Sequence, residues 1–184
     1  MQQVGDYYRI ITSSSEVEDV YITNTNFSGN LTIVGNVNVF IRQCIIQGNV
    51  EIDCNNLNII STEFKYAGFA TNPYMITTHA TKCIDVTFDV SNLRESSIVP
   101  ITLDGDSHSS YFFSCCTFKA NAKSCKYIKL REGLLNLATS SSHISARRSI
   151  LISKSKCSSV VVIGGSYSLD KLTNSKHQVK LIGV

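Results

Sequence analysis

The segment richest in groups capable of chemistry is Asp104-Gly105-Asp106-Ser107-His108. Two carboxylates separated by a single residue, with a histidine close behind, could bind Ca²⁺ through oxygen ligands. They could equally serve as an acid/base pair. On a strand, residues i and i+2 point to the same side. The intervening glycine predicts a turn instead, and Asp-Gly-Asp-Ser is an ordinary composition for a surface turn. Asp104, Asp106 and His108 are therefore an acidic-site candidate set against the plain reading of a turn.

No second set of residues strengthens a catalytic reading. Glu51, Asp53, Glu63, Asp85 and Asp89 are expected to face outward but do not recur at equivalent positions. His79, His108, His143 and His177 are scattered, and no Gly-x-Ser-x-Gly elbow presents a serine nucleophile. Seven cysteines (44, 54, 83, 115, 116, 125 and 157) show no Cys-x-x-Cys or histidine-rich ligand spacing. They read as reduced thiols packed as small apolar groups, which points to assembly in a reducing compartment. No catalytic residue, cofactor or metal is expected. An interaction surface is expected instead at Tyr66, Phe69 and Tyr74, with Arg147 and Arg148 on a second, basic side.

The totals narrow the class further. Charged residues make up 17% and hydrophobic residues 43%. Low charge with abundant Ser, Asn and Thr fits a β-rich protein with polar ladders. The net charge of +3 is weak, and the lysines and arginines between 123 and 156 read as a solvated face, so nucleic acid is not the expected partner. Residues 1–16 lack the basic and apolar regions of a signal peptide. No apolar run approaches membrane-spanning length. Asn26-Phe27-Ser28 and Asn30-Leu31-Thr32 are glycosylation sequons that matter only in a secreted chain.

The elements that position these groups follow from a repeat. Val20-Tyr-Ile22-x-x-Thr25-x-Phe27 recurs as Val39-Phe-Ile41-x-x-Cys44-x-Ile46 and Leu57-Asn-Ile59-x-x-Thr62-x-Phe64. It returns as Tyr111-Phe-Phe113-x-x-Cys116-x-Phe118 and Val160-Val-Val162-x-x-Gly165-x-Tyr167, with a blurred copy from Leu135 to Ile144. Between the first copies, Gly29-Asn30-Leu31-Thr32-Ile33 echoes Gly48-Asn49-Val50-Glu51-Ile52. Gly and Asn mark turns, and the alternation after them marks a short strand. Stacked at about 4.8 Å per repeat, the copies predict two internal ladders. One runs through Val20, Val39, Leu57, Tyr111 and Val160, the other through Phe27, Ile46, Phe64, Phe118 and Tyr167. The positions of Asn24, Gln43, Ser61, Cys115 and Gly164 predict a bend. Residues 1–16 are read as a first strand or cap, 65–82 as a loop excursion, and 178–182 as a last strand. The register of 83–110 and 135–150 stays open.

The repeat resembles the right-handed parallel β-helix superfamily, the shape of pectate-lyase-like enzymes, viral tailspikes and capsid-associated proteins. The resemblance implies an all-β, single-domain solenoid of about seven coils over residues 1–184. The polygalacturonase-like sets (Asn-x-Asp, Asp-Asp, Gly-His-Gly) do not occur, and Lys129-Leu130-Arg131 matches their Arg-x-Lys only loosely. The resulting expectation is a non-enzymatic structural or assembly protein. Its setting is a virion, as a minor capsid, decoration or spike component assembled in the host cytoplasm or nucleus. Its partners are other structural proteins, with a homotrimer as one arrangement. The alternative is a carbohydrate-binding or polysaccharide-degrading module. A leucine-rich repeat also fits the outline of Val17-x-x-Val20-x-Ile22-x-x-Thr25-x-Phe27, and it would require helices between the strands.

Overall fold

The computed structural model describes residues 2–4, 7–66, 73–92, 101–119, 126–130, 132–138, 143–144, 151–154, 158–163 and 179–182. Among them there is no helix, which removes the leucine-rich reading for this part of the chain. After β1 (Gln2–Val4), the chain passes through β2 (Tyr7–Ile11), β3 (Glu18–Thr23) and β4 (Asn26–Phe27). It then forms β5 (Asn30–Val34), β6 (Val37–Arg42) and β7 (Ile45–Gln47), followed by β8 (Val50–Ile60) and β9 (Glu63–Lys65). Next come β10 (Tyr74–Ile84) and β11 (Thr87–Asp89), then β12 (Ile101–Leu103), β13 (Ser110–Ser114) and β14 (Thr117–Lys119). The rest are β15 (Lys126–Leu130), β16 (Gly133–Ala138), β17 (His143–Ile144), β18 (Leu151–Lys154), β19 (Ser158–Ile163) and β20 (Val179–Ile182).

Among the described residues the pairing is parallel except for β1, which runs antiparallel to β2, and the sheets remain open. Three rows of strands result. The first contains β2, β5, the starts of β8 and β10, β12, β15 and β18. The second contains β3, β6, the ends of β8 and β10, β13, β16, β19 and β20. The third contains β4, β7, β9, β11, β14 and β17. Because β8 and β10 run unbroken through two rows, the first and second rows form one sheet and the third a separate one.

Period-two alternation sets which side chains face the core. In β6, Val37, Val39 and Ile41 are buried while Asn38, Phe40 and Arg42 face away. Val20, Val39, Leu57, Thr81, Tyr111, Leu135, Val160 and Val179 align across the second row. Phe27, Ile46, Phe64, Phe88, Phe118 and Ile144 align across the third. Tyr167, expected at the end of that ladder, lies outside the described residues. The inward faces of all three rows meet in one apolar cluster. Phe64 stacks on Phe88 with centroids 5.2 Å apart, and Phe88 reaches Tyr74 at 6.0 Å and Phe113 at 6.1 Å. Such aromatic pairs add about 0.5–1.5 kcal/mol each beyond area burial.

One expectation needs correction. The loop read over 65–82 is strand from Tyr74 onward, and β10 lies in the middle of the sheet. Its inward sites include Thr78 and Thr81, whose hydroxyls bond each other at 2.6 Å. Paired hydroxyls are tolerated in a core, but they break the apolar alternation that signals a strand. The same substitution hid a repeat, Thr81-x-Cys83-x-x-Val86-x-Phe88, between the third and fourth recognised copies. The blurred copy has its own cause. Phe118 lies seven residues beyond Tyr111, but Ile144 lies nine beyond Leu135, so this connection is two residues longer.

The bend between the second and third rows is stereotyped. Asn24, Gln43, Ser61, Asp85 and Cys115 all have φ between 47° and 54°, the left-handed region. Non-glycine residues there cost about 1–2 kcal/mol each. The next residue offsets part of this. Thr25 Oγ1 donates to the Thr23 carbonyl at 2.8 Å, and Thr62 Oγ1 to the Ile60 carbonyl at 3.0 Å. Cys44 Sγ and Cys116 Sγ make the same bond to Arg42 and Ser114 at 3.2 and 3.3 Å. Thr25, Cys44, Thr62 and Cys116, each one place after the left-handed residue, therefore serve as donors, and Val86 at the same place does not.

Candidate functional site

The acidic turn sits at the junction of the first and second rows. Main-chain bonds fix it at both ends: Asp104 N–H donates to the Ile76 carbonyl at 2.8 Å, and Leu134 N–H to the Ser109 carbonyl at 2.8 Å. Within it, His108 N–H donates to Asp106 Oδ1 at 2.9 Å, and Ser109 Oγ donates to the same oxygen at 3.1 Å. Asp106 N–H donates to Ser109 Oγ at 3.0 Å. His79 Nδ1 lies 3.8 Å from Asp106 Oδ2, with both side chains exposed. The His108 backbone N–H holds the Asp106 carboxyl below the usual carboxylate range, aided by Ser109 and opposed by desolvation. Asp106 thus acts as the internal cap of a turn. The imidazole of His108 is exposed, and its backbone rather than its ring contacts the carboxylate.

Around this turn lies an open cleft of about 310 Å³, lined by Asp53, Cys54, His79, Asp104, Asp106 and Ser109 among others. It gathers three carboxylates from β8 and from the 104–109 turn, of which sequence reasoning joined only Asp104 and Asp106. Asp53 and His79 reach the cleft because β8 and β10 are adjacent, a pairing no local spacing reveals. No group of three or more His, Cys, Asp or Glu residues among those described is arranged to hold a metal ion.

A second, shallower groove of about 540 Å³ follows the stereotyped bend. Its lining includes Gln43, Ser61, Glu63, Asp85, Thr87 and Lys119. Ser61 Oγ donates to Asp85 Oδ2 at 2.8 Å. Lys119 Nζ lies 4.0 Å from Glu63 and 3.9 Å from Asp89, and Lys65 pairs with Glu63 at 3.3 Å. Asp89 Oδ1 also accepts from Ser91 Oγ at 2.6 Å. These partly exposed pairs are each worth no more than about 1 kcal/mol.

The aromatic interaction surface is not where the sequence suggested. Tyr74 is 1% exposed and Tyr66 7%, so both are core residues. Tyr74 packs against Phe64 and Phe88, and burial pushes its phenol pKa upward, with Asp89 and Tyr66 adding to the shift. They point inward because Tyr74 occupies the row of Leu31 and Val50 rather than a loop. Phe69, Arg147 and Arg148 lie outside the described residues. Among the described cysteines, Cys44, Cys54, Cys83 and Cys116 are buried and Cys115 is exposed. Burial raises the thiol pKa of Cys54 and Cys116 to about 12, and that of Cys83 also rises.

The outer polar groups also tie neighbouring strands together. Asn38 Nδ2 donates to Asp19 Oδ1 at 2.9 Å, and Asn56 Nδ2 to Asn38 Oδ1 at 2.8 Å. A parallel ladder joins Asn55 to Asn36 at 2.6 Å and Asn36 to the Ser15 carbonyl at 3.1 Å. No described helix is long and apolar enough to cross a membrane. Comparisons with protein-family models, curated proteins and solved structures return no match.

Proposed function

We propose that the three rows are the walls of a right-handed parallel β-helix of about seven coils, and that this chain is a non-enzymatic structural or assembly element. Right-handedness follows from the strong preference of parallel crossovers. One observation carries the functional reading: the outward polar side chains bond to the neighbouring strand. Asp19, Asn38 and Asn56 form one such ladder, and Ser61 with Asp85 forms another link. Glu63, Asp89, Lys65 and Lys119 neutralise one another across three strands. Carboxylates used this way stiffen a wall and are poorly placed to exchange protons with a substrate.

The setting we propose is a virion, with the chain as a minor capsid, decoration or spike component assembled in the host cytoplasm or nucleus. Its partners are other structural proteins, and a homotrimer is one arrangement. This setting rests on fold-level analogy. The test is purification of the native protein from the cells that make it. Recovery within a large assembly supports the reading. Recovery as a free monomer that cleaves an acidic polysaccharide overturns it. A second reading, a carbohydrate-binding wall, is favoured by the groove holding Glu63, Asp85 and Lys119. Chemical-shift changes at Ser61 and Thr87 on titration with acidic oligosaccharides would support that reading.

A further inference from the structure

The two ends of the strand stack differ in cover and in charge. At the head, β1 covers the first row, but among the described residues β3 pairs only with β6 and β4 only with β7. Glu18 N–H bonds the Asn36 carbonyl at 3.2 Å and Asn24 N–H the Arg42 carbonyl at 3.0 Å. These two bonds set the parity of β3. Its even-numbered amides face β6, and those of Asp19, Tyr21 and Thr23 point to the open side. Large apolar side chains collect at the same end. Ile11 and Val17 are each 54% exposed and Tyr21 65%, leaving Leu134 as the only other exposed large apolar residue among those described. Glu16, Glu18 and Asp19 are exposed beside them. An unpaired edge with apolar flanks and negative charge is a template for an added strand with alternating aliphatic residues and a positive charge.

A strand of that kind lies at the opposite end of the chain. Among the described residues β20 pairs with β19 alone. Its Val179 and Leu181 align with Val160 and Val162, in the row that begins with Val20 and Ile22. Charge runs the same way. Residues 1–30 hold four acids and one base, whereas residues 151–184 hold five lysines and one acid.

We infer that the head edge of one copy takes the tail strand of a second copy, β20 adding in parallel to β3. Val179 and Leu181 then continue the ladder onto Val20 and Ile22, and Lys180 falls in the row of Tyr21, beside Asp19. Joining two head edges would oppose like charges, which disfavours a symmetric dimer. Because the two surfaces differ, the contact propagates into an open series rather than closing. This names a second copy as a partner for the assembly role above, and it rests on the strand-stacking part of that reading.

The experiment is sedimentation velocity of the full chain over a range of concentrations, at low salt and at about 0.5 M salt, where surface charges are screened. The expected result is an open-ended series of species that shrinks with salt. Asp19→Lys and Lys180→Glu each weaken association about 2- to 5-fold, and combining them restores it. Tyr21→Pro removes an outward amide together with the ring that stacks on Phe40, and Tyr21→Ala removes the ring alone; Pro abolishes association, Ala leaves a residual association, and the circular dichroism of both stays that of the wild type. A β-rich chain that stays monomeric at every concentration overturns the inference and leaves the stacking reading standing. So does a closed, salt-insensitive dimer. Substantial helix in the circular dichroism overturns both.

Discussion

The chain enters and leaves its second row in two different ways. On leaving it toward the third, each described repeat through β14 uses one left-handed residue, and in four of the five a Thr or Cys donor follows. On entering it from the first, the connection varies. Gly35-Asn36 links β5 to β6, β8 and β10 run straight through, and residues 104–109 form a self-capped turn. Each bend lines a groove. The fixed bend keeps the repeats in phase, because one residue more or fewer there would reverse the inward and outward faces of the next strand. The variable bend carries no such phase constraint, since a turn of any length can return the chain to the sheet. Chemical variety therefore accumulates on the variable side, where Asp53, His79, Asp104 and Asp106 meet.

Insertions should separate the two bends most clearly. One glycine placed between Ser61 and Thr62 is expected to destabilise by more than about 4 kcal/mol, because Phe64 would leave the core. One glycine after Ser107 is expected to cost less, about 1–3 kcal/mol, because it disrupts the Asp106 cap without reversing the faces of a strand. Urea unfolding of the two variants measures both, and equal losses would erase the distinction. Thr62→Val removes the hydroxyl that donates to the Ile60 carbonyl, and a loss of about 1–3 kcal/mol is expected in the same assay. Gln43→Gly should work in the opposite direction. Relief of the left-handed strain outweighs the entropy of glycine, giving a gain of up to about 1 kcal/mol, or about 2–4 °C in melting temperature per kcal/mol.

The smallest effect is electrostatic. The folded-state pKa of Asp106 lies below its unfolded value. Its stabilising contribution is therefore complete above the ordinary Asp pKa of about 3.9. It is lost as the pH falls from there through the folded pKa. An NMR titration should show the His108 amide signal moving in that acid range while the signal of Gln43 stays still. A His108 amide that titrates only above pH 5 would contradict the cap.

Most of the stacking was legible beforehand. Phe27, Ile46 and Phe64 align as their spacing requires, and so do Val20, Val39 and Leu57, because local alternation decides which face is apolar. The repeat at 81–88 was not legible, because Thr78 and Thr81 satisfy each other's hydroxyls inside the core. The bend could be predicted from the residues at 24, 43, 61 and 115. What helps hold it, a side-chain bond from the next residue back to a carbonyl two residues earlier, appears only in the folded geometry. The candidate site was half legible: Asp104 and Asp106 announce a turn, while Asp53 and His79 join them only through strand pairing.

By itself the sequence determined the all-β class, the inward positions of the clear repeats and the place of the bends, all consequences of period-two geometry within a few residues. The tertiary structure alone decided that Tyr66 and Tyr74 are core, that β10 lies mid-sheet and that no described strand covers the outer edge of β3. Those outcomes depend on which distant strands pair, and that choice is set by closing loops of different length and burying whole rows together.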